Sequence, residues 1–128
     1  DYDSRASFED EIGRYCYPID LHPIAPGAEK SQYEENYLKG YGKGNSYGIP
    51  YRCLLPQDTV NLLVAGRCIS TSREMNGSTR VMPCCFITGM AAGAAAAMAK
   101  DSSPREISVP ELQKNLKKMG AYLPHTAL

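Results

Sequence analysis

The first ten positions are mostly polar, and a coherent pattern begins at Glu11. Residues 11–22, EIGRYCYPIDLH, end on an alternation of Ile19 and Leu21 with Asp20 and His22, which predicts a strand. Pro18 confines that strand to a sheet edge or a bulge. Residues 23–46 change character: two prolines and Gly27, then the charged stretch EKSQYEENYLK, then GYGKGN, a pattern that reads as a surface excursion. Residues 47–55 predict a second strand interrupted by Pro50, and Pro56-Gln57-Asp58 predicts a turn. Residues 60–65, VNLLVA, are apolar on both faces through Leu62-Leu63-Val64-Ala65, as in a strand of a covered and usually parallel sheet that ends at Gly66.

A polar stretch over 67–80 predicts a loop. The 19 residues 81–99 then carry no charge, and Pro83 places the start of a helix near 81–83, because proline is tolerated only in the first turn. Gly89, Gly93 and Ala96 or Ala97 form one smooth face of this helix, suited to close packing on a sheet. Near the end, Ser108 and Glu111 fit a capping box, Pro110 sits in the first turn, and Val109, Leu112, Leu116 and Met119 share a face. With Gly120 as the stop, the pattern predicts a helix over 109–119.

Charge narrows the function classes. Fourteen Lys and Arg balance fourteen Asp and Glu, so the basic excess of a nucleic-acid binder is missing. The length, 128 residues, suits one domain or part of one, and the chain opens on Asp1 with no visible signal peptide. The uncharged run approaches a membrane span in length, but it is mostly Ala and Gly, which gain little in lipid, and it stands alone. The expectation is therefore no membrane partner. Five cysteines, an odd number with no CxxC, point to free buried thiols in a reducing, cytoplasmic setting and to no metal site. Gly40-x-Gly42-x-Gly44 lacks the preceding strand and following helix of a phosphate loop, so it reads as a turn.

Candidate chemistry centres on residues 60–100. Arg67, Arg73 and Arg80 lie between the expected strand and helix, and Arg80 sits at the helix N-terminus. A cation there opposes the helix dipole unless an anion binds at the same end, where free N–H groups point. The alternative is that these arginines are solvated or pair with Glu74 and other carboxylates.

The stretch IPYRCLLPQDTVNLLVAGRCISTSREMNGSTRVMPCCFITGMAAGAAAAMA resembles the C-terminal part of the FAD-dependent oxidoreductase family, which includes chains like the flavoprotein component of the ferredoxin-linked heterodisulfide reductase. The similar positions are Ile49-Pro50-Tyr51-Arg52, residues 61–67, Gly77-Ser78, residues 80–83, and Gly89 with Ala91-Ala92-Gly93. Ile19-Asp20-Leu21-His22 upstream, and Ser103-Pro104-Arg105-Glu106 and Gly120-Ala121-Tyr122-Leu123 downstream, are also similar.

The resemblance implies an α/β architecture. This chain would be the C-terminal fragment of a Rossmann-like FAD domain with strands of a substrate domain, since no G-x-G-x-x-G is present to grip the pyrophosphate. On that reading residues 1–58 belong to the substrate-side β region, 59–100 to the last strand and helix of the FAD domain, and 101–128 to a C-terminal helix and tail. Ala65, Gly66, Arg67, Arg80, Val81 and Met82 would lie at the flavin, where a helix N-terminus stabilises negative charge on the reduced ring. Arg67 stands where many flavoproteins have an acid for the ribityl hydroxyls; it donates only, so a phosphate or a backbone carbonyl is its expected acceptor. Asp20, His22 and Arg52 would face a small organic substrate, the imidazole moving a proton and the guanidinium holding a carboxylate or oxyanion. Family members often carry a histidine where Arg73 stands.

In the intact enzyme FAD would take a hydride from the substrate. The implied partners are that substrate and the N-terminal remainder of the polypeptide; the isolated chain is expected to hold no FAD, to be inactive and to self-associate. The rival is a stand-alone, non-enzymatic assembly module packing through its Ala/Gly-rich helix.

Overall fold

A computed structural model of the chain describes residues 4–21 and 44–126. The charged excursion, Gly40, Gly42 and His22 lie outside the described residues. The element order is β1 (Glu11–Tyr15), β2 (Tyr47–Pro50), α1 (Arg73–Thr79), α2 (Met82–Met98) and α3 (Val109–Lys118), with 3-10 turns over Tyr51–Leu54 and Gly66–Cys68.

β1 and β2 form an antiparallel pair in the register Glu11↔Pro50, Gly13↔Ile49, Arg14↔Gly48 and Tyr15↔Tyr47, with an irregularity between Glu11 and Gly13. Both strands are shorter than their patterns predict. β1 ends at Tyr15, and after Pro50 the chain turns into the 3-10 segment. β1 is buried throughout, including a Glu11–Arg14 ion pair of 2.9 Å. That pair survives burial because Arg14 is otherwise saturated, donating to Ser7 Oγ, Ser46 Oγ, and the carbonyls of Arg5 and Ser46. Gln113 on α3 reaches under the sheet, its Nε2 donating to the carbonyls of Glu9 at 2.8 Å and Glu11 at 3.0 Å.

The two longer helices follow the sequence pattern closely. Pro83 lies in the first turn of α2. Ser108 caps α3 by accepting the N–H of Glu111, Pro110 occupies its first turn, and Gly120 leaves it at φ +96°. One core joins them to the sheet: Ile12, Tyr47, Ile49, Tyr51 and Leu54 meet Cys84, Ala91 and Ala95 of α2 and Leu112 and Leu116 of α3.

Three expectations are overturned. Residues 60–65 form no strand; among the described residues the segment makes one backbone–backbone bond, Val64 N–H to Leu54 O at 2.9 Å. It hangs instead on side chains: Arg105 donates to the carbonyls of Thr59 and Pro56, and Ser103 to that of Val60. A doubly apolar strand needs neighbours on both edges and cover on both faces, and the described residues supply neither, so Val60 is 69% and Leu62 49% exposed. Second, residues 67–80 are not a loop but carry a 3-10 turn and α1, whose N-cap Ser72 accepts the N–H of Met75. Third, α2 buries Cys84, Thr88, Ala91 and Ala95, whereas a Cβ built on Gly89 or Gly93 would meet nothing within 4 Å. Their side of the helix, with Phe86, faces outward.

Candidate functional site

The site is built where the extended segment turns into α2. Ala65 ends the extended run, and Gly66 takes φ +71°, a left-handed conformation in which a side chain is strained. The Gly66 N–H donates to Thr88 Oγ1 at 2.9 Å, and the same hydroxyl donates to Cys84 O at 2.9 Å. Thr88 is fully buried, so one hydroxyl satisfies a turn and a helix at once and fixes the spacing between them. Nothing in the sequence pattern singles out Thr88 beyond its being a polar, β-branched residue in an otherwise small-residue helix.

Arg67 continues from that turn and donates from Nε to the carbonyl of Arg80 at 2.8 Å, one of the two acceptors its chemistry suggests. Arg80 ends α1 and donates from Nη2 to Asp20 Oδ2 at 2.7 Å and to the Asp20 carbonyl at 3.2 Å. Its carboxylate partner is therefore inside the chain, as the pairing alternative has it. Both side chains are partly exposed, so the pair contributes about 1 kcal/mol at most, and its role is orientation. Gly77 makes the approach feasible. A Cβ there would lie 3.0 Å from the Asp20 carbonyl oxygen and 3.0 Å from Leu21 Cδ2, and Gly77 O accepts the Asp20 N–H.

Immediately after Arg80, Val81 is the N-cap of α2 in an extended conformation with no side-chain cap, and no acid stands in the first turn. Pro83 has no N–H to satisfy, and among the described residues nothing accepts from the N–H groups of Met82 and Cys84. Met82 is 64% exposed. The chain thus brings Ala65, Gly66, Arg67, Arg80, Val81 and Met82 into one locality, with an uncapped helix end open to an electron-rich group. That donor set suits one electron-rich edge of a ring rather than a pyrophosphate, for which the given sequence has no G-x-G-x-x-G.

Asp20 joins this locality through Arg80, but Arg52 does not. Arg52 pairs with Asp10 through Nη1, its own N–H donates to Asp10 Oδ2 at 3.0 Å, and its guanidinium lies 4.9 Å from the Phe8 ring centroid. It lines a mainly apolar cavity of about 200 Å3 with Tyr47, Cys53, Met75 and Thr79. The opposite face of α1 lines a second cavity of about 190 Å3 with Asp20 and Leu21. Its contributors from α1 and its end are Arg73, Asn76, Gly77 and Arg80.

The thiols sit apart from any metal geometry. Burial pushes Cys84 up to about 12, and it pushes Cys53 up as well, against the lowering effect of Arg52. Among the described residues no three His, Cys, Asp or Glu side chains group as metal ligands, and no single helix is long and apolar enough to cross a membrane.

Compared with known families, residues 1–116 match the family model described as FAD dependent oxidoreductase. No curated protein and no solved structure matches the chain.

Proposed function

The chain belongs to the FAD-dependent oxidoreductase family, and on that premise we propose that it is the C-terminal part of a longer flavoprotein that oxidises a small organic substrate. The family supplies the coarse function, flavin-dependent oxidoreduction with FAD, and disfavours a non-enzymatic assembly module. The finer reading is carried by one observation. The turn at Gly66 and the uncapped end of α2 are held together by Thr88 and by the Arg67–Arg80 contact, with Met82 exposed at the first turn of the helix.

When bound, FAD supplies the hydride acceptor. The residues of this chain position and polarise it. The N–H of exposed Met82, at the uncapped start of α2, would stabilise negative charge on a bound flavin. Gly66 leaves the approach free of a side chain, and Arg67 holds the Arg80 carbonyl so that α2 starts at a fixed place. Asp20 orients Arg80, and His22, next but one along the chain, is the proposed proton carrier for the substrate. The N-terminal remainder of the polypeptide would supply the pyrophosphate turn and the strands that pair with residues 60–65. Arg52, held by Asp10, is proposed on the substrate side from a separate cavity.

The test uses the longer polypeptide encoding this chain. It should purify with flavin, and Arg67→Ala should weaken flavin binding about tenfold, the loss of one charge-assisted hydrogen bond. His22→Ala should leave flavin content intact and slow flavin reduction by substrate. A polypeptide that binds no flavin, or an Arg67→Ala variant that binds it like the parent, overturns the reading.

A further inference from the structure

We propose that the cavity between α1 and residues 20–21 seats a carboxylate group of the substrate, with Arg73 as its anchor. The inference rests on the flavoenzyme reading and adds the substrate class to it. The cavity, about 190 Å3, is lined by Asp20, Leu21, Arg73, Asn76, Gly77 and Arg80. That is well beyond the space a single water needs, enough for a carboxylate and a short chain.

The charges in it are unequal in kind. Arg80 is neutralised and fixed by Asp20 at 2.7 Å. Arg73 is exposed, and among the described residues no acceptor binds its guanidinium. The adjacent Glu74 forms no ion pair with Arg73 among the described residues, and its own backbone N–H and Ser72 hold its carboxyl below the usual range more than the charge of Arg73 does. Among the described residues, two guanidiniums and one carboxylate line the cavity, which leaves one positive charge for a ligand, on a group whose flat fork of donors matches a carboxylate. Asn76 lies three residues after Arg73, and Arg80 lies seven after it, so all three share one face of the helix beside one opening. Asn76 adds an uncharged donor for the second carboxylate oxygen.

The ligand is a monoanion on this account. A dianion would meet a single free charge and the resident carboxylate of Asp20, which repels it. Gly77 holds the arrangement: its missing Cβ lets residues 20–21 lie against α1, which keeps Asp20 on Arg80 and frees Arg73 for a ligand.

The test needs no flavin. Nitrogen-15 NMR of the 128-residue chain is followed during titration with sodium acetate, with sodium chloride at equal ionic strength as the control. Saturable acetate shifts are expected at the amides of Arg73, Asn76, Gly77 and Arg80, without the same response to chloride. Arg73→Gln should weaken acetate binding about tenfold or more, and Arg73→Lys should restore part of it. Shifts that do not saturate, a chloride response equal to that of acetate, or an Arg73→Gln variant that binds like the parent would each refute the seat. Inorganic phosphate binding more tightly than acetate would refute the monoanion assignment. A flavin titration that fails leaves these shifts unaffected, and failed acetate binding leaves the flavin reading standing.

Discussion

Single side chains in this chain carry two duties where the fold is thin. Thr88 is the clearest case, because its buried hydroxyl accepts from Gly66 and donates to Cys84 in one place. Thr88→Val keeps the shape and removes both bonds, leaving the Gly66 N–H without its acceptor. Urea unfolding should show a loss of about 1–3 kcal/mol, the cost of an unsatisfied buried donor; an unchanged midpoint would mean that water replaces the hydroxyl. Cys84, on the same face of α2, gives a prediction in pH. Burial raises its folded pKa from the ordinary thiol value of 9.0 to about 12, so the native state holds the proton more tightly than the unfolded chain does. Stability from this thiol is complete below about pH 9 and is lost as pH rises from there towards 12. Alkylation below pH 9 should modify the exposed Cys68 first and spare Cys84 until the chain unfolds, and equal labelling rates would contradict the burial.

At the scale of elements, α2 and α3 were legible because their signals are local. Pro83, Ser108, Pro110 and Gly120 act within one turn, whatever else the chain does. The orientation of α2 was not legible. Ala and Gly surround the helix, so neither side stands out as apolar, and contact with the sheet decides for Cys84, Thr88, Ala91 and Ala95. α1 was hidden for a different reason. It has seven residues including Gly77 and Thr79, both poor helix formers, and only the Ser72 cap marks it. The extended run at 60–65 has strand composition, yet a strand exists only with a partner, which is information outside the segment. The candidate site shared this limit: its contributors could be named singly, but the Arg67–Arg80–Asp20 chain of contacts depends on Gly77 letting two segments meet. The open face of α2 makes a testable consequence. In this chain Gly93→Ala should raise stability by about 1 kcal/mol through helix propensity, and Gly93→Leu should cost no overpacking. In the proposed longer flavoprotein the leucine variant should cost about 1–3 kcal/mol if the remainder covers that face. Thermal melts of both forms separate these cases, and a destabilised Gly93→Ala in this chain would show that the face is already packed.

For the molecule as a whole, the balance of buried and exposed apolar surface is uneven. Its core draws on β1, β2, α2 and α3 and seals Leu112, Leu116, Ile12 and Leu54 completely. On the outside, Val60 and Leu62 of the extended run and Met82 and Phe86 of α2 stay exposed, Phe86 at 71%. Apolar side chains exposed on these two stretches, next to a run over 60–65 that has no strand neighbour among the described residues, form a template for association. The 128-residue chain should therefore self-associate with rising concentration. Replacing Leu62 and Phe86 together by Glu should return it to a monomer while leaving its helical circular dichroism unchanged, because neither side chain belongs to the core. Sedimentation velocity over a concentration series reads the outcome. A parent chain that stays monomeric throughout would mean that these residues are not an interface, and it would also remove the physical ground for expecting the rest of a flavin domain to cover them.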